Sequence, residues 1–95
     1  MSAEQIFHIT KDPAEDLDYQ FDWTDSLEDL ETVDSYTLTV PDGITSHDDS
    51  NTDTVVIFWI SPGGDAGETY RIECEMTTSA GRVHKRSLDV LLVTK

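Results

Sequence analysis

Hydrophobic residues alternate with polar ones along several short stretches of this chain. In residues 17–23 the apolar positions alternate with acidic or amide ones, and the same period of two recurs in residues 36–40 and 70–76. A period of two is typical of strands with one face in a core. The apolar run 55–60 is short enough for a strand buried on both faces. The pattern therefore predicts strands.

The rest of the chain adds two strands and little helix. Residues 6–10 and 82–94 are β-prone, whereas residues 45–53 hold no apolar side chain and predict an exposed loop. In residues 24–30 the spacing of the two leucines predicts one helical turn. Gly, Pro and Asp turns recur every 8–12 residues or so, a spacing typical of sandwiches. We predict an all-β fold, an immunoglobulin-like β-sandwich of about seven short antiparallel strands, as one domain over residues 1–95.

The alternation also predicts which side chains form the core. The expected core residues are Tyr19, Phe21, Trp23, Leu38, Ile57, Trp59, Ile72, Cys74, Leu88 and Val90. In the last strand Val83 has the opposite parity to Leu88, so we expect a β-bulge near Arg86 that returns Val83 to the core face. Phe58 and Trp59 are neighbours on a strand, so only one of them can face the core.

Charge excludes two classes of partner. The chain has 20 acidic and 6 basic residues and a formal charge of −14. This imbalance argues against binding to nucleic-acid phosphates or to an anionic membrane. Ten acidic residues lie in residues 12–34, where there is no Lys or Arg, whereas half of the basic residues fall within residues 82–86.

The candidate chemistry is sparse. Cys74 is the single cysteine, so no internal disulfide is possible, and its apolar strand neighbours predict a buried thiol. His8, His47 and His84 lack the spacing of a zinc site. Residues 48–53 lack the Gly and Glu positions of an EF-hand. We predict no catalytic residue, no metal and no cofactor, and expect that the chain is not an enzyme.

Two groups of residues are candidates for contacts with proteins. The basic cluster predicts self-association with the acidic half of another copy, around an apolar contact from Phe58 or Trp59, through Arg82, Lys85, Arg86 and Phe58. The polar loop offers a second candidate, a partner-binding site at His47, Asp48, Asp49 and Asn51.

The order of several motifs resembles a family of small bacteriophage-encoded proteins. The motifs are Asp12-Pro13, Leu17-Asp18-Tyr19, Phe21-Asp22-Trp23, Trp59-Ile60, Ala66-Gly67, Thr69-Tyr70 with Cys74, and Thr77-Thr78-Ser79-Ala80-Gly81-Arg82. Members of that family lie among the virion structural genes of tailed phages and resemble immunoglobulin-like sandwiches. The basic segment 83–86 and the strong acidity of this chain depart from the family pattern.

The resemblance implies an accessory protein of the phage particle. We expect a capsid decoration or cement protein on the capsid surface, bound to the major capsid protein or other virion proteins and oligomeric on the particle. Without a signal-like N-terminus or an apolar run that would span a membrane, we expect it to be made in the host cytoplasm. The alternatives are an adhesion module of the head–tail junction, tail or fibre, an acidic DNA mimic that inhibits a host protein, and a glycan or receptor binder that uses residues 45–53.

Overall fold

The computed structural model describes residues 5–95, in which seven strands and a 3-10 turn follow one another along the chain. The 3-10 turn spans Thr24–Ser26. The strands are β1 (Gln5–Lys11), β2 (Leu17–Asp22), β3 (Val33–Thr39), β4 (Ser46–Asn51), β5 (Val55–Ile60), β6 (Thr69–Thr78) and β7 (Val83–Leu92). The described residues are thus all-β, as the alternation predicts.

The strands form two sheets. One has the order β1-β7-β6-β3 and the other the order β2-β5-β4. Every pair is antiparallel except β1 with β7, which is parallel. The expectation of purely antiparallel strands is wrong at this pair. The chain leaves β1 for the opposite sheet and returns to β7 only at its end, so no hairpin joins the two strands.

The core lies between the sheets and takes alternate residues from most strands. Its buried apolar members are Phe21, Trp23, Val33, Ile44, Val56, Phe58, Ile60, Ile72, Cys74, Met76, Leu88, Val90 and Leu92. Tyr19 and Leu38 are half-buried and pack against this core.

The predicted core has the wrong parity in β5. Val56, Phe58 and Ile60 are buried on the core face. Ile57 and Trp59 are half-buried on the outer face. A strand with both faces covered would bury every residue. In this fold β5 is the central strand of a sheet that has only one face on the core. The residues of the apolar run therefore alternate between the core face and the outer face.

The predicted bulge in β7 is absent. The pairing of β7 with β6 runs without a register shift from Leu91 back to Val83. Val83 therefore points outward and is 58% exposed. The core face takes Arg86 in its place, because the aliphatic stem of an arginine packs in apolar surroundings while its head finds acceptors.

The segment predicted as a loop, residues 45–53, contains strand β4. It pairs with β5 at the edge of its sheet, with a register shift between His47 and Ser50. Asp48 adopts a positive φ of 50° within that irregularity. The prediction failed because backbone hydrogen bonds to one neighbour, together with polar side-chain bonds, hold this edge strand, so it needs no apolar side chain.

The turn between β5 and β6 closes one end of the core. Gly64 has a φ of +88°, and a Cβ there would lie 2.4 Å from Leu92 Cδ1 and 3.0 Å from Ile44 Cγ2. Glycine is therefore needed here for two reasons: the backbone is left-handed, and the turn approaches the core too closely for a side chain.

Candidate docking surface

The two sheets each leave a strand edge unpaired on the same side of the sandwich. β1 ends one sheet and β2 ends the other. Between them lies a groove of about 680 Å³, to which both strands contribute. Its lining residues are His8, Ile9, Thr10, Leu17, Tyr19, Thr69, Asp89 and Leu91. We call this opening the lateral groove.

Leu17 and Leu91 place exposed apolar side chains on the rim of the groove, and two more exposed apolar side chains lie outside it on β1. Leu17 is 37% exposed and Leu91 is 36% exposed, and Phe7 and Ile6 lie further along β1 with similar exposure. These four are most of the large apolar side chains that the described residues leave in solvent. An apolar rim beside a strand with free backbone groups suits an extended segment of another chain.

A paired carboxylate forms the polar part of the groove. Asp89 is nearly buried and accepts hydrogen bonds from Arg71 Nε at 2.7 Å and from Arg71 Nη2 at 3.1 Å. The Arg71 guanidinium therefore holds the pKa of Asp89 below its ordinary value. His8 Nδ1 lies 3.8 Å from the same carboxylate. The charge is thus balanced within the domain, and a docking segment meets a largely neutral floor.

All six Lys and Arg side chains have partners within the domain. Lys11 is buried and donates from Nζ to the Asp12 carbonyl at 3.1 Å, and Lys95 lies 3.0 Å from Glu15. The other pairs are Arg71 with Asp89, Arg82 with Glu31, Lys85 with Glu73, and Arg86 with the Trp23 ring. The surface left to meet a partner is therefore acidic.

The residues predicted for self-association do not form one exposed patch. Arg86 is buried, with its guanidinium 4.4 Å from the Trp23 ring centroid and its Nη2 donating to Ser26 Oγ at 2.6 Å. Arg82 binds Glu31, and Lys85 Nζ lies 2.8 Å from Glu73. Arg82 and Lys85 keep partly exposed side chains, so a contact of these two cations with a second copy stays a prediction. Arg86 is buried and is not available for that contact.

Phe58 was predicted as an apolar contact and lies instead in the core, fully buried. Trp59 takes the outer position and stacks on His47, with ring centroids 5.8 Å apart. The outer face of the β2-β5-β4 sheet therefore presents Trp59, and Phe58 is not available to a second copy.

The predicted partner-binding residues fall on β4. His47 bridges Asp16 through Nε2 at 2.8 Å and Asp48 through Nδ1 at 3.0 Å, and both bonds raise the pKa of His47. Asp49 accepts from the Tyr36 hydroxyl at 2.5 Å. Burial, and then this bond, raise the pKa of Tyr36 to about 12. Asn51 is exposed and donates to the neighbouring Thr52 carbonyl. The bonds of His47 to Asp16 and of Asp49 to Tyr36 hold the edge strand against its own domain.

The described residues include no cluster of side chains that could bind a metal ion. In residues 5–95 no three His, Cys, Asp or Glu side chains are arranged to hold a metal ion. Burial raises the pKa of the Cys74 thiol to about 12, so the thiolate is scarce at neutral pH. Over the same part of the chain no helix is long and apolar enough to cross a membrane.

Comparison with known proteins identifies the family. A family model described as "Podophage GP4 fiber-tail adaptor protein gp77" matches residues 11–91. The chain belongs to this family. No curated protein matches it.

Membership in the gp77 adaptor family makes the chain a structural protein of the phage particle that interacts with other virion proteins. The expectation of a phage structural protein is therefore confirmed. Capsid decoration has no support from the family, and the alternative of a head–tail, tail or fibre module fits it better.

Sequence analysis missed the groove. Alternation places Leu17 on the apolar face of a strand whose other apolar residues are predicted to be in the core, and it gives no outer role to Leu91. The run 90–93, apolar at four successive positions, breaks the alternation and is the signal that marks an apolar outer position. The edge position of β1 has no such signal, because it depends on pairing between distant parts of the chain.

Proposed function

We propose that this protein is a non-enzymatic adaptor that joins a fibre to the tail of the phage particle, with the lateral groove as one of its docking surfaces. The observation that carries the proposal is the apolar groove of about 680 Å³ between the unpaired edges of β1 and β2. The family description supports the fibre and the tail as the two partners.

We further propose that residues 1–95 form a single immunoglobulin-like domain. The order β2-β5-β4 corresponds to strands B, E and D of that fold, and β7-β6-β3 corresponds to G, F and C. β1 corresponds to a first strand that pairs with G. This arrangement explains the free edge, because the first strand has no neighbour beyond it.

Docking at the groove takes place by strand addition. An extended segment of the partner pairs its backbone with the outer edge of β1, which supplies affinity without a fixed sequence. Every second side chain of that segment enters the groove against Leu17, Tyr19 and Leu91. The acidic surface of the domain attracts a segment with basic flanks and speeds the encounter.

Self-association on the particle stays a prediction, with changed contacts. Phe58 and Arg86 are buried and cannot serve it. Trp59 is the aromatic side chain on the outer sheet face, so a contact between copies would use that face.

The first experiment separates an adaptor from a capsid decoration protein. The gene is deleted, and the purified particles are analysed for fibre protein by quantitative mass spectrometry. An adaptor predicts particles with intact heads and tails that have lost the fibre. Particles that keep their fibres and have fragile heads would contradict the proposal and favour decoration.

The second experiment tests the groove. Leu17→Glu places a carboxylate on the groove rim, and Gln20→Glu adds the same charge at an exposed position of the same strand. We expect Leu17→Glu to lower the fibre content of particles by about tenfold, the effect of losing one apolar anchor. Gln20→Glu should leave the fibre content unchanged. Equal fibre content in the two variants would show that the groove is not the docking surface.

A further inference from the structure

Leu30 is the most exposed large apolar side chain in the described residues. It is 96% exposed and lies between the 3-10 turn and β3. Its backbone has a φ of 64°, in the left-handed region. An isolated exposed leucine is ordinary, but a leucine in left-handed backbone is not, because its Cβ crowds the following carbonyl oxygen. No packing of the Leu30 side chain within the described residues offsets the energetic cost of this left-handed backbone.

The loop that carries Leu30 is held firmly. The Glu31 carboxylate accepts from Arg82 Nε at 2.9 Å and from the Glu28 amide at 2.8 Å. Arg82 Nη2 also donates to the Ser26 carbonyl at 2.9 Å. These bonds fix the residues on both sides of Leu30. The leucine is therefore presented to solvent by a braced loop.

A second set of hydrogen bonds joins this loop to the β6–β7 hairpin. The Ser79 amide donates to the Thr32 carbonyl at 2.8 Å, and the Thr32 amide donates to Ser79 Oγ at 3.0 Å. A notch of about 360 Å³ lies beside Leu30, between the loop and Ser79 and Ala80 of the hairpin. Leu30 thus projects beside a recess.

This surface is distant from the lateral groove. Arg82 lies at the Leu30 end of the last strand and Leu91 lies on the groove rim. Nine residues of extended chain separate them, a span of about 30 Å. The longest dimension of the domain is 42 Å. The two surfaces are far enough apart for two different proteins to bind at once.

The charges beside Leu30 define the chemistry of what it meets. Glu28 and Asp29 precede the leucine, and both are exposed. The one cation among the residues that line the notch, Arg82, is bound to Glu31, and its Nη1 lies 3.9 Å from Glu28 Oε1. An apolar side chain with exposed carboxylates beside it complements an apolar pocket with Lys or Arg on its rim.

We propose that Leu30 is a docking knob that inserts into an apolar, basic-rimmed pocket of a second virion protein, at the end of the domain remote from the lateral groove. This inference rests on the proposed adaptor function and adds its second surface. The braced left-handed backbone is how the domain holds the knob out of its own core.

The test reconstitutes particles. Virions that lack this protein, prepared from the deletion strain, are incubated with purified wild-type protein, Leu30→Asn or Leu30→Met, and bound protein is measured after sedimentation. Asn tolerates the left-handed backbone, so Leu30→Asn should fold at least as stably as wild type. We expect its affinity for the particles to fall about tenfold or more. Leu30→Met keeps an apolar side chain and should bind within about twofold of wild type.

The outcomes separate the knob from the adaptor function. If wild-type protein binds the particles and Leu30→Asn binds them equally tightly, the proposal of a docking knob is wrong. The proposal of an adaptor function is unaffected by that result. Wild-type protein that binds no particle would overturn both. Thermal unfolding of each variant accompanies the binding measurement, and a loss of binding in a folded Leu30→Asn supports the knob.

Discussion

Arg86 shows how one residue decides the packing of a strand. Its guanidinium stacks on Trp23 and donates from Nη1 to the Asp22 carbonyl and from Nη2 to Ser26 Oγ. Desolvation lowers its pKa from the ordinary arginine value. A planar group with several donors satisfies two acceptors and an aromatic face at once. This fit explains why β7 needs no bulge.

Replacing Arg86 with Ala should therefore be costly. The change leaves the Asp22 carbonyl without its donor and opens a space against Trp23, so we expect a loss of about 2–4 kcal/mol in the free energy of unfolding. Urea denaturation measures it. The control is Lys85→Ala on the opposite face of the same strand, where an exposed ion pair contributes about 0–1 kcal/mol. Equal losses in the two variants would contradict the buried role of Arg86.

His47 links β4 to the residue that precedes β2 through a charge that depends on pH. It bridges Asp16, just before β2, and Asp48 on β4, and both bonds raise its pKa. A group whose pKa is higher in the folded state stabilises that state below the unfolded pKa, about 6.5, and the contribution is lost as pH rises through the folded value.

We therefore predict that the stability of wild type relative to His47→Gln is greatest near pH 5.5 and declines as the pH rises above 7. Urea midpoints measured for both proteins from pH 5.5 to pH 8.5 test this. A difference that is constant with pH, or that grows as pH rises, would show that the imidazolium does not hold β4 in place.

At the scale of elements, alternation predicts strands well where one face is apolar. β2 and β6 follow the expected pattern closely. β4 was missed because its residues are polar on both faces, and the phase of β5 was missed because an apolar run carries no alternation to read. Edge position and the parallel pairing of β1 depend on contacts between distant residues. The lateral groove depends on the same pairing, so it could not be predicted from the sequence pattern either.

The turn between β5 and β6 offers a matched test of packing. Gly64 and Gly67 both have positive φ, but a Cβ would collide with Leu92 only at Gly64 and would meet no atom within 4 Å at Gly67. Alanine at Gly67 should cost about 1 kcal/mol from the backbone alone. Alanine at Gly64 should cost about 1–3 kcal/mol more, because the core must shift. Equal melting temperatures for the two variants would contradict the close approach of this turn.

At the scale of the whole molecule, charge is the dominant feature. The formal charge is −14, and every Lys and Arg is paired or buried within the domain. Carboxylates on the surface therefore repel one another with no free cations among them. Repulsion of this kind opposes the compact state and is screened by salt.

We predict that the thermal midpoint of the isolated protein rises when NaCl is raised from low to moderate concentration. The variant Asp18→Asn/Asp25→Asn/Asp34→Asn, which removes three exposed carboxylates, should show a smaller rise. Calorimetry of both proteins over the same salt series gives the result. A midpoint that falls with salt in the wild-type protein would mean that attractive ion pairs outweigh the repulsion.

We propose that this domain bridges two virion proteins in the tail region, one at the lateral groove and one at Leu30. A cryo-electron microscopy reconstruction of the virion tests it most directly. We predict density for the domain between the tail and the fibre, with an added strand on β1 and the Leu30 side chain inside a pocket of the second protein. Density for the domain on the capsid shell, or in the tail with both β1 and Leu30 facing solvent, would contradict it.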